Sequence, residues 1–283
     1  MNRTIKNILL FSLVFISGGC GLVTDGINYA NLNEPRYFSQ ANDNISQEFD
    51  GTLKVVSYNI KFSKKIDKAL ELLEGLDELK HADIIFLQEM DEAGVQRIAD
   101  ALHYNYVYYP AVKHPLYNRN FGNAIVTKWP IVYDQKVILP HLDPEKLQRI
   151  AVGAVLKVGA KYVMAYSVHM RIWLHPFQRK NQMSRLLNSI PSYFDHCIIA
   201  GDFNTFTTFN RTVIFESFDE HNFKLATENV DWTYKHWYMF NKKSLMDYIF
   251  VRNFNTLGAG RVSSRKASDH LPIWTELKFR ELN

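Results

Sequence analysis

Short apolar runs alternate with amphipathic segments along the chain from residue 51 onward. "LKVVSYNI" and "ADIIFLQE" are apolar and rich in β-branched and aromatic residues, which predicts two strands. Between them Ile66, Ala69, Leu70 and Leu73 recur at helical spacing, and Ser63 is the predicted N-cap. A strand, a helix and a second strand in this order predict that the two strands are parallel.

The same alternation continues to the end of the chain. A second helix is predicted where Val95, Ile98 and Leu102 share one face, and a third from about residue 176 to 190. The predicted strands are "YNYVYYP", "NAIVTK", "IAVGAVLKV", "KYVMAYSVH", "CIIAGD", "LMDYIFV" and "PIWTELKF". Gly159 and Ala160 predict a hairpin turn between the third and fourth of these. Many strands with few helices indicate an α/β fold in which helices flank two packed sheets, as one domain over 51–283.

The N-terminus has a different pattern. Residues 1–19 combine a basic start, an apolar run and small residues, as in a secretory signal peptide. The apolar run is too short to span a membrane. "SGGC" resembles the bacterial lipoprotein box, which makes Cys20 the predicted lipidation site and residues 20–50 a flexible polar tether. An ordinary signal peptide and a loose anchor helix are the alternatives, because Ser17 stands where Leu is usual.

Composition narrows the classes of function only a little. The formal net charge is +4, and it falls to +2 without the first nineteen residues, which hold Arg3 and Lys6 and no acid. This balance alone does not indicate a nucleic-acid-binding protein. Cys197 is the only cysteine after Cys20, so no disulfide is expected within the domain. Its apolar surroundings also argue against a cysteine nucleophile.

Polar residues recur at the ends of the predicted strands. Any one of them alone is typical of a turn or a cap. Parallel strands, however, bring their carboxyl ends to one edge of a sheet, so the whole set is expected to converge there. The members are Asn59, Glu89, His169, Asp202, Asn204, Asp247, Asp269 and His270.

Carboxylate, amide and imidazole groups of this kind favour one type of chemistry. Oxygen ligands suit Mg²⁺ or Mn²⁺, and the separated histidines make a zinc site less favoured. A hard cation beside a base and an acid fits attack of water on a phosphate ester.

Seven motifs appear in the order found in the endonuclease/exonuclease/phosphatase superfamily. They are "SYNI", "LQE", "FGNAIVTKWPI", "SVH", "GDFNT", "LMDYIFV" and "SDHLPI". The chain therefore resembles metal-dependent phosphodiesterases such as pancreatic-type deoxyribonuclease, neutral sphingomyelinases and inositol-polyphosphate phosphatases. The resemblance covers about residues 53–279 and implies a four-layer α/β/β/α sandwich of two packed mixed sheets.

The resemblance also implies which residues bind the metal ion. Glu89 matches the principal metal ligand, and Asp269 matches a carboxylate on the metal side. Asn59 matches a residue that contacts the metal and the phosphate, either directly or from the second sphere.

The catalytic roles are implied in the same way. Asp202 and Asn204 match the pair that orients water and holds the phosphate. His270 matches the catalytic histidine, with Asp247 as the acid that orients it, and this pair is expected to activate the attacking water together with Asp202. His169 matches a second histidine that contacts the phosphate or protonates the leaving group. Abasic-site endonucleases typically lack this histidine, which disfavours the DNA-repair branch.

One departure from the family pattern concerns His169. The deoxyribonuclease pairs the matching histidine with a Glu before the "GNA" strand, but residues 101–133 contain no Asp or Glu. Either another residue orients His169 or it works without a carboxylate, so His270 is given the firmer role.

Two neighbouring segments have open interpretations. "YNYVYYPAVKHPLYNRNFG" interleaves tyrosines with Lys113 and Arg119, which fits either a substrate loop or ordinary strand packing. Arg179 and Gln182 match a recurring Arg-x-x-Gln spacing and are expected to brace a loop.

The predicted function is therefore divalent-metal-dependent hydrolysis of a phosphate ester. Nucleic acid is the preferred substrate, and the protein is expected to be an exported, lipid-anchored monomer of the bacterial cell envelope. The alternatives are a phosphoesterase for phospholipid, sphingomyelin or inositol phosphate, and a catalytically silent binding module that kept the fold.

Overall fold

Two large sheets form the centre of the protein in the computed structural model, which describes residues 26–40, 49–142, 147–172, 174–236 and 241–281. The first sheet has the strand order β1-β5-β6-β4-β3-β16-β15, with β2 also paired to β5. Its strands are β1 (Ile27–Asn28), β2 (Tyr37–Ser39), β3 (Thr52–Asn59), β4 (Ile84–Met90), β5 (Asn105–His114), β6 (Arg119–Thr127), β15 (Phe254–Arg261) and β16 (Ile273–Phe279).

The second sheet has the order β11-β14-β10-β9-β8-β7, and a separate ribbon pairs β12 with β13. These strands are β7 (Ile131–Leu139), β8 (Arg149–Val158), β9 (Lys161–His169), β10 (Cys197–Asp202), β11 (Lys224–Leu225), β12 (Tyr234–Lys235), β13 (Lys243–Ser244) and β14 (Asp247–Arg252). The predicted parallel pair, β3 with β4, is confirmed, and β9 with β10 is a second one. The hairpin predicted at Gly159 joins β8 to β9.

In the described part of the chain, four α-helices flank the sheets, one more than the sequence predicts. They are α1 (Ile66–Gly75), α2 (Glu92–Leu102), α3 (Pro176–Leu187) and α4 (Thr208–Asp219). The Oγ1 atom of Thr207 caps α4 by accepting a hydrogen bond from the amide of Asn210 at 3.1 Å. The predicted N-cap of α1 is wrong, because α1 begins at Ile66 and the Ser63 hydroxyl instead accepts from the amide of Asp91 at 3.0 Å.

The layers are held together by three apolar clusters. Inward-facing residues of both sheets, such as Val55 of β3 and Ala165 of β9, form the central cluster. Alternate residues of the first sheet pack on α1 and α2, and those of the second sheet pack on α3 and α4. The predicted four-layer α/β/β/α sandwich is therefore confirmed.

The segment predicted as a flexible tether is partly ordered. Ile27 and Asn28 pair with β5, and residues 37–39 pair with a neighbouring part of the same strand. That prediction is wrong for these residues, which extend the first sheet at its edge. Residues 1–25 lie outside the described residues, and so do the predicted signal peptide and Cys20. Among the described residues, the structure has no helix long and apolar enough to cross a membrane.

Gly201 allows β10 to pass close to β9 just before the strand reaches Asp202. Its φ is +149°, and a Cβ there would lie 1.9 Å from the carbonyl oxygen of Val168. A side chain at this position therefore meets backbone that is fixed by sheet hydrogen bonds.

Gly201→Ala should lower the free energy of unfolding by roughly 3 kcal/mol or more, since it combines backbone strain with overpacking. Urea unfolding followed by circular dichroism measures this change. Gly75→Ala is the matched control because nothing lies within 4 Å of its Cβ position. Equal midpoints for the two variants would contradict the argument.

Candidate active site

Three neighbouring strands of the second sheet each contribute one functional side chain at the same level. In the register of β9, β10 and β14, Asp202 lies opposite His169 on one side and opposite Asp247 on the other. All three side chains are almost completely buried. Main-chain pairing of the sheet therefore sets the spacing of this row.

His270 joins the row from the loop before β16. Its Nδ1 lies 2.8 Å from Asp247 Oδ2, and its Nε2 lies 3.7 Å from Asp202 Oδ2. Burial alone would lower the pKa of His270, but the negative charges of Asp247 and Asp202 outweigh burial and raise it to about 10. The imidazole is therefore a cation at neutral pH, with Nε2 directed toward Asp202.

Glu89 comes from the first sheet, where the ladder between β4 and β6 is interrupted. The register shifts between Leu87 and Met90, and Glu89 has a φ of +60°. A bulge of this kind redirects a side chain at the cost of backbone strain. The carboxylate points toward the row, with Oε1 4.0 Å from His169 Nε2, and 17% of the side chain remains exposed. Burial raises the pKa of Glu89.

Asn59, at the end of β3, connects the two sheets. Its Nδ2 donates to Asp202 Oδ2 at 3.1 Å and to Glu89 Oε1 at 3.3 Å. Its Oδ1 accepts a hydrogen bond from the amide of Lys61 at 3.1 Å, which fixes the orientation of the side chain. The amide nitrogen of Asn59 thus bridges the two carboxylates, and its predicted contact with the metal ion stays a prediction.

Asn204 holds Asp202 from the turn that follows β10. The main-chain N–H of Asn204 donates to Asp202 Oδ1 at 2.9 Å. Its side-chain Nδ2 donates to the carbonyl of Met170 at 2.9 Å and to Asp202 Oδ2 at 3.3 Å. Burial raises the pKa of Asp202, although the charge of His270 opposes this effect. Asn204 positions the carboxylate, and its predicted contact with phosphate stays a prediction.

His169 faces two carboxylates through one nitrogen only. Its Nε2 lies 3.6 Å from Asp202 Oδ2, whereas its buried Nδ1 has no hydrogen-bond partner among the described residues. Burial and the nearby charges of Arg149 and His270 lower its pKa well below the usual value, so the ring is neutral. The structure thus agrees with the absence of an acidic partner in residues 101–133.

Asp269 lies at the edge of this set. Its Oδ2 forms an ion pair with Lys61 Nζ at 2.6 Å. Burial acts to raise its pKa, but the charges of His270 and Lys61 prevail and the pKa lies below its usual value. Asp269 is thus an anion that is already paired with a cation in this structure.

Two basic residues of the site were missed by the sequence analysis. Lys61 follows the "SYNI" motif directly, and Arg149 is the first residue of β8. Arg149 interacts electrostatically with Glu89 and Asp202, and its buried Nε has no hydrogen-bond partner among the described residues. Arg149 could have been found from its position, because it begins β8, the strand predicted to form a hairpin with the strand that ends in "SVH".

Arg179 has the bracing role that the sequence predicts. It is fully buried, and its guanidinium donates to the carbonyl of Arg171 at 2.7 Å and to Gln182 Oε1 at 3.4 Å. This contact supports the loop between β9 and α3, next to His169.

The side chains present fit a hard divalent cation. Ligand atoms of Asp202, Asp247 and His270 lie within 4.8 Å of one another, but His270 Nδ1 and Asp247 Oδ2 already share a hydrogen bond. Glu89 is the better candidate because its carboxylate is partly exposed and faces the row. Carboxylate oxygens of this kind suit Mg²⁺ or Mn²⁺.

Comparison with known proteins finds a family profile that covers most of the chain. The profile of the Endonuclease/Exonuclease/phosphatase family matches residues 56–270, which contain every predicted site residue of the domain. No curated protein matches the chain significantly.

Several solved structures share the fold at low sequence identity. An endonuclease/exonuclease/phosphatase from Bacteroides vulgatus is 17% identical, with a TM-score of 0.64 over 81% of this chain and 99% of its own. D. rerio TDP2 complexed with single strand DNA product is 16% identical, with a TM-score of 0.64 over 81% and 100%. ANGEL2, a 2',3'-cyclic phosphatase in complex with adenosine-2',3'-vanadate, is 15% identical, with a TM-score of 0.63 over 87% and 99%.

Asp247→Asn should lower the pKa of His270 by ~1–3, because it removes the negative charge that contributes most to keeping the imidazole protonated. A histidine NMR titration without added metal ion measures this change. Asp231→Asn is the control, since Asp231 is exposed and pairs with Arg261 on the surface. An unchanged titration in Asp247→Asn would refute the pairing.

Proposed function

Because the chain belongs to the endonuclease/exonuclease/phosphatase family, whose members hydrolyse phosphate esters, we propose that it cleaves phosphodiester bonds of nucleic acid with a divalent metal ion. The observation that carries this proposal is the row of His169, Asp202 and Asp247 on adjacent strands, completed by His270 at hydrogen-bond distance from Asp247. A base, a cation and a neutral imidazole are thereby concentrated at one sheet edge.

Asp202 is the residue that we assign as the acceptor of the proton from the attacking water. It lies between the two imidazoles, and burial raises the pKa of its carboxyl group, which makes it a better base than an exposed carboxylate. The water oxygen bonds to phosphorus while the bond from phosphorus to the leaving oxygen breaks. The leaving oxygen then takes a proton, for which we assign the imidazolium of His270 as the acid. Because His270 is protonated, it takes this role in place of the activation of water that the sequence predicts.

Two cations of the site suit the charge that develops on the phosphoryl oxygens. His270 is held protonated by Asp247, and Arg149 carries a buried guanidinium Nε that lacks a hydrogen-bond partner among the described residues. Donors that are already fixed in place stabilise such charge without further reorganisation. His169, which is neutral, is assigned to contact the phosphate.

Glu89 is proposed as the main ligand of the metal ion, with Asn59 holding its carboxylate in place. When bound, Mg²⁺ or Mn²⁺ would act as a Lewis acid that offsets negative charge on the phosphate. Asp269 is the second predicted carboxylate on this side, and its ion pair with Lys61 would then be exchanged for the metal ion.

Nucleic acid is preferred as substrate for two reasons. The structures that share the fold include one with single strand DNA product and one with an adenosine vanadate. Basic side chains, among them Arg149 and Lys61, also lie at the site and suit a polyanion.

We retain from the sequence the proposal of an exported monomer anchored through Cys20.

Purified protein should cleave single-stranded DNA or RNA in the presence of Mg²⁺ and lose this activity in EDTA. His270→Ala should reduce the rate by a factor of ~10³ or more, since it removes the imidazolium, while its thermal melting curve stays cooperative. Sphingomyelin vesicles, inositol phosphates and bis-p-nitrophenyl phosphate are tested in parallel. Lipid cleavage without DNA cleavage would overturn the substrate, and no turnover of any ester would favour a binding module.

Glu89→Gln should raise the Mg²⁺ concentration for half-maximal activity by at least ~10-fold, because the amide keeps the shape of the side chain but loses its charge. Activity measured over a series of Mg²⁺ concentrations tests this expectation. Glu71→Gln on the exposed face of α1 is the matched control. A titration that coincides with the wild type would remove Glu89 from the metal site.

A further inference from the structure

An aromatic strip leads away from His169 along one wall of the site. The ring of Phe121 lies 5.7 Å from His169, Phe62 lies 5.1 Å from Phe121, and Tyr117 lies 4.5 Å from Phe62, all between ring centroids. His114 packs against the last three rings at 5.0–5.5 Å. The strip is thus continuous from the catalytic row to the turn between β5 and β6.

Burial decreases along the strip. Phe121 and His114 are only 3% and 8% exposed, whereas Phe62 and Tyr117 are half-buried. The inner rings therefore belong to the support of the wall, and the outer two rings offer surface to a ligand. We call the outer pair, Phe62 and Tyr117, the aromatic platform.

Cations lie along the same strip. Lys64 Nζ lies 4.4 Å from the ring centroid of Tyr117 and donates to its hydroxyl at 3.0 Å. Arg149 lies 5.1 Å from the centroid of Phe121 at the inner end. Arg119 forms an ion pair with Asp91 and donates to the carbonyl of Phe62. Aromatic faces combined with cations are what a single-stranded nucleic acid requires, since its bases stack and its phosphates are anionic.

The loop that carries the platform has an unusual backbone. Lys61, Phe62 and Ser63 all have positive φ, at +25°, +57° and +51°. Three successive left-handed residues are costly for side chains other than glycine. The conformation places Lys61 against Asp269 and Phe62 against Tyr117, so the strained loop links the catalytic centre to the platform.

We propose that the aromatic platform stacks an unpaired nucleobase adjacent to the scissile phosphate, which makes single-stranded nucleic acid the preferred substrate. This proposal rests on the proposed function and specifies its substrate. A base in a duplex is covered on both faces by its neighbours, so it is not free to lie on Tyr117 or Phe62. A lipid acyl chain would contact the apolar rings, but it has no charge to pair with the cations that lie beside them.

The experiment combines two changes, removal of one base from the substrate and removal of the Tyr117 ring from the protein, and measures whether their effects depend on each other. Single-stranded oligonucleotides carry one cleavable phosphodiester among methylphosphonate linkages, and the flanking nucleotide on the 5′ or the 3′ side is either normal or abasic. In the wild type, loss of the stacked base should lower kcat/KM by ~10-fold or more on one of the two sides, in line with the cost of one lost stacking contact. In Tyr117→Leu the same base removal should lower kcat/KM by no more than ~3-fold, because only the Phe62 ring of the platform remains to stack on.

Two further variants separate stacking from folding. Tyr117→Phe keeps the ring and should keep the base dependence of the wild type, although it loses the hydroxyl that Lys64 contacts. Tyr193→Leu is the matched control, since this tyrosine is 76% exposed and precedes β10 at the end opposite Asp202. It should retain the wild-type activity and base dependence.

The outcomes distinguish this proposal from the proposed function. If the wild type cleaves no oligonucleotide with Mg²⁺, the nuclease function itself fails. If it cleaves them with equal base dependence in the wild type and Tyr117→Leu, or with none in the wild type, the reaction stands and the platform is overturned. Faster cleavage of a duplex than of the single strand would overturn it as well.

Discussion

Two carboxylates from different sheets, the buried Asp202 and the partly exposed Glu89, are held side by side in this protein, and the side-chain amide of Asn59 joins them. Glu89 belongs to the first sheet and Asp202 to the second, and one Nδ2 donates to both. Two negative charges that share one amide donor repel one another, and burial adds a desolvation penalty to each. The arrangement is therefore stable only because amide donors, the His270 cation and the packing of the sheets compensate for that cost.

Buried polar side chains between the two sheets form hydrogen bonds next to the contact of Glu89, Asn59 and Asp202. Gln88, the neighbour of Glu89, donates to the hydroxyl of Ser167 at 3.1 Å, and that hydroxyl donates to the carbonyl of Leu87 at 2.9 Å. Asn123 donates to the carbonyl oxygens of Ile150 and Ser167. Polar groups buried in an apolar core need geometrically defined partners, so these bonds fix how the sheets align. The positions of Glu89 and His169 follow from that alignment.

Much of the fold was readable from the sequence because its signals are local. Apolar runs and helical spacing predict most strands and three of the four helices, and the strand-helix-strand order predicts the parallel pair β3 and β4. α4 was missed because Asn210, Arg211 and Thr212 interrupt its apolar pattern, and β1 and β2 because two or three residues carry no periodicity. Pairing with β5 makes those short strands, and pairing is not visible in a local pattern.

The catalytic residues could be predicted from the sequence, whereas the residues that surround them could not, for the same reason. Strand ends identify Asp202 and Asp247, because sheet register places them in one row, and the "SDH" motif identifies His270 in the loop before β16. Lys61 and Arg149 were missed since their relevance depends on contacts with residues more than fifty positions away. His169, Asp202 and Asp247 thus lie at the ends of rigid strands, whereas Tyr117 and Lys64 lie on a turn and a loop. Because substrate selection would be carried by those segments, substitutions there can alter which ester is bound without moving Asp202 or its partners.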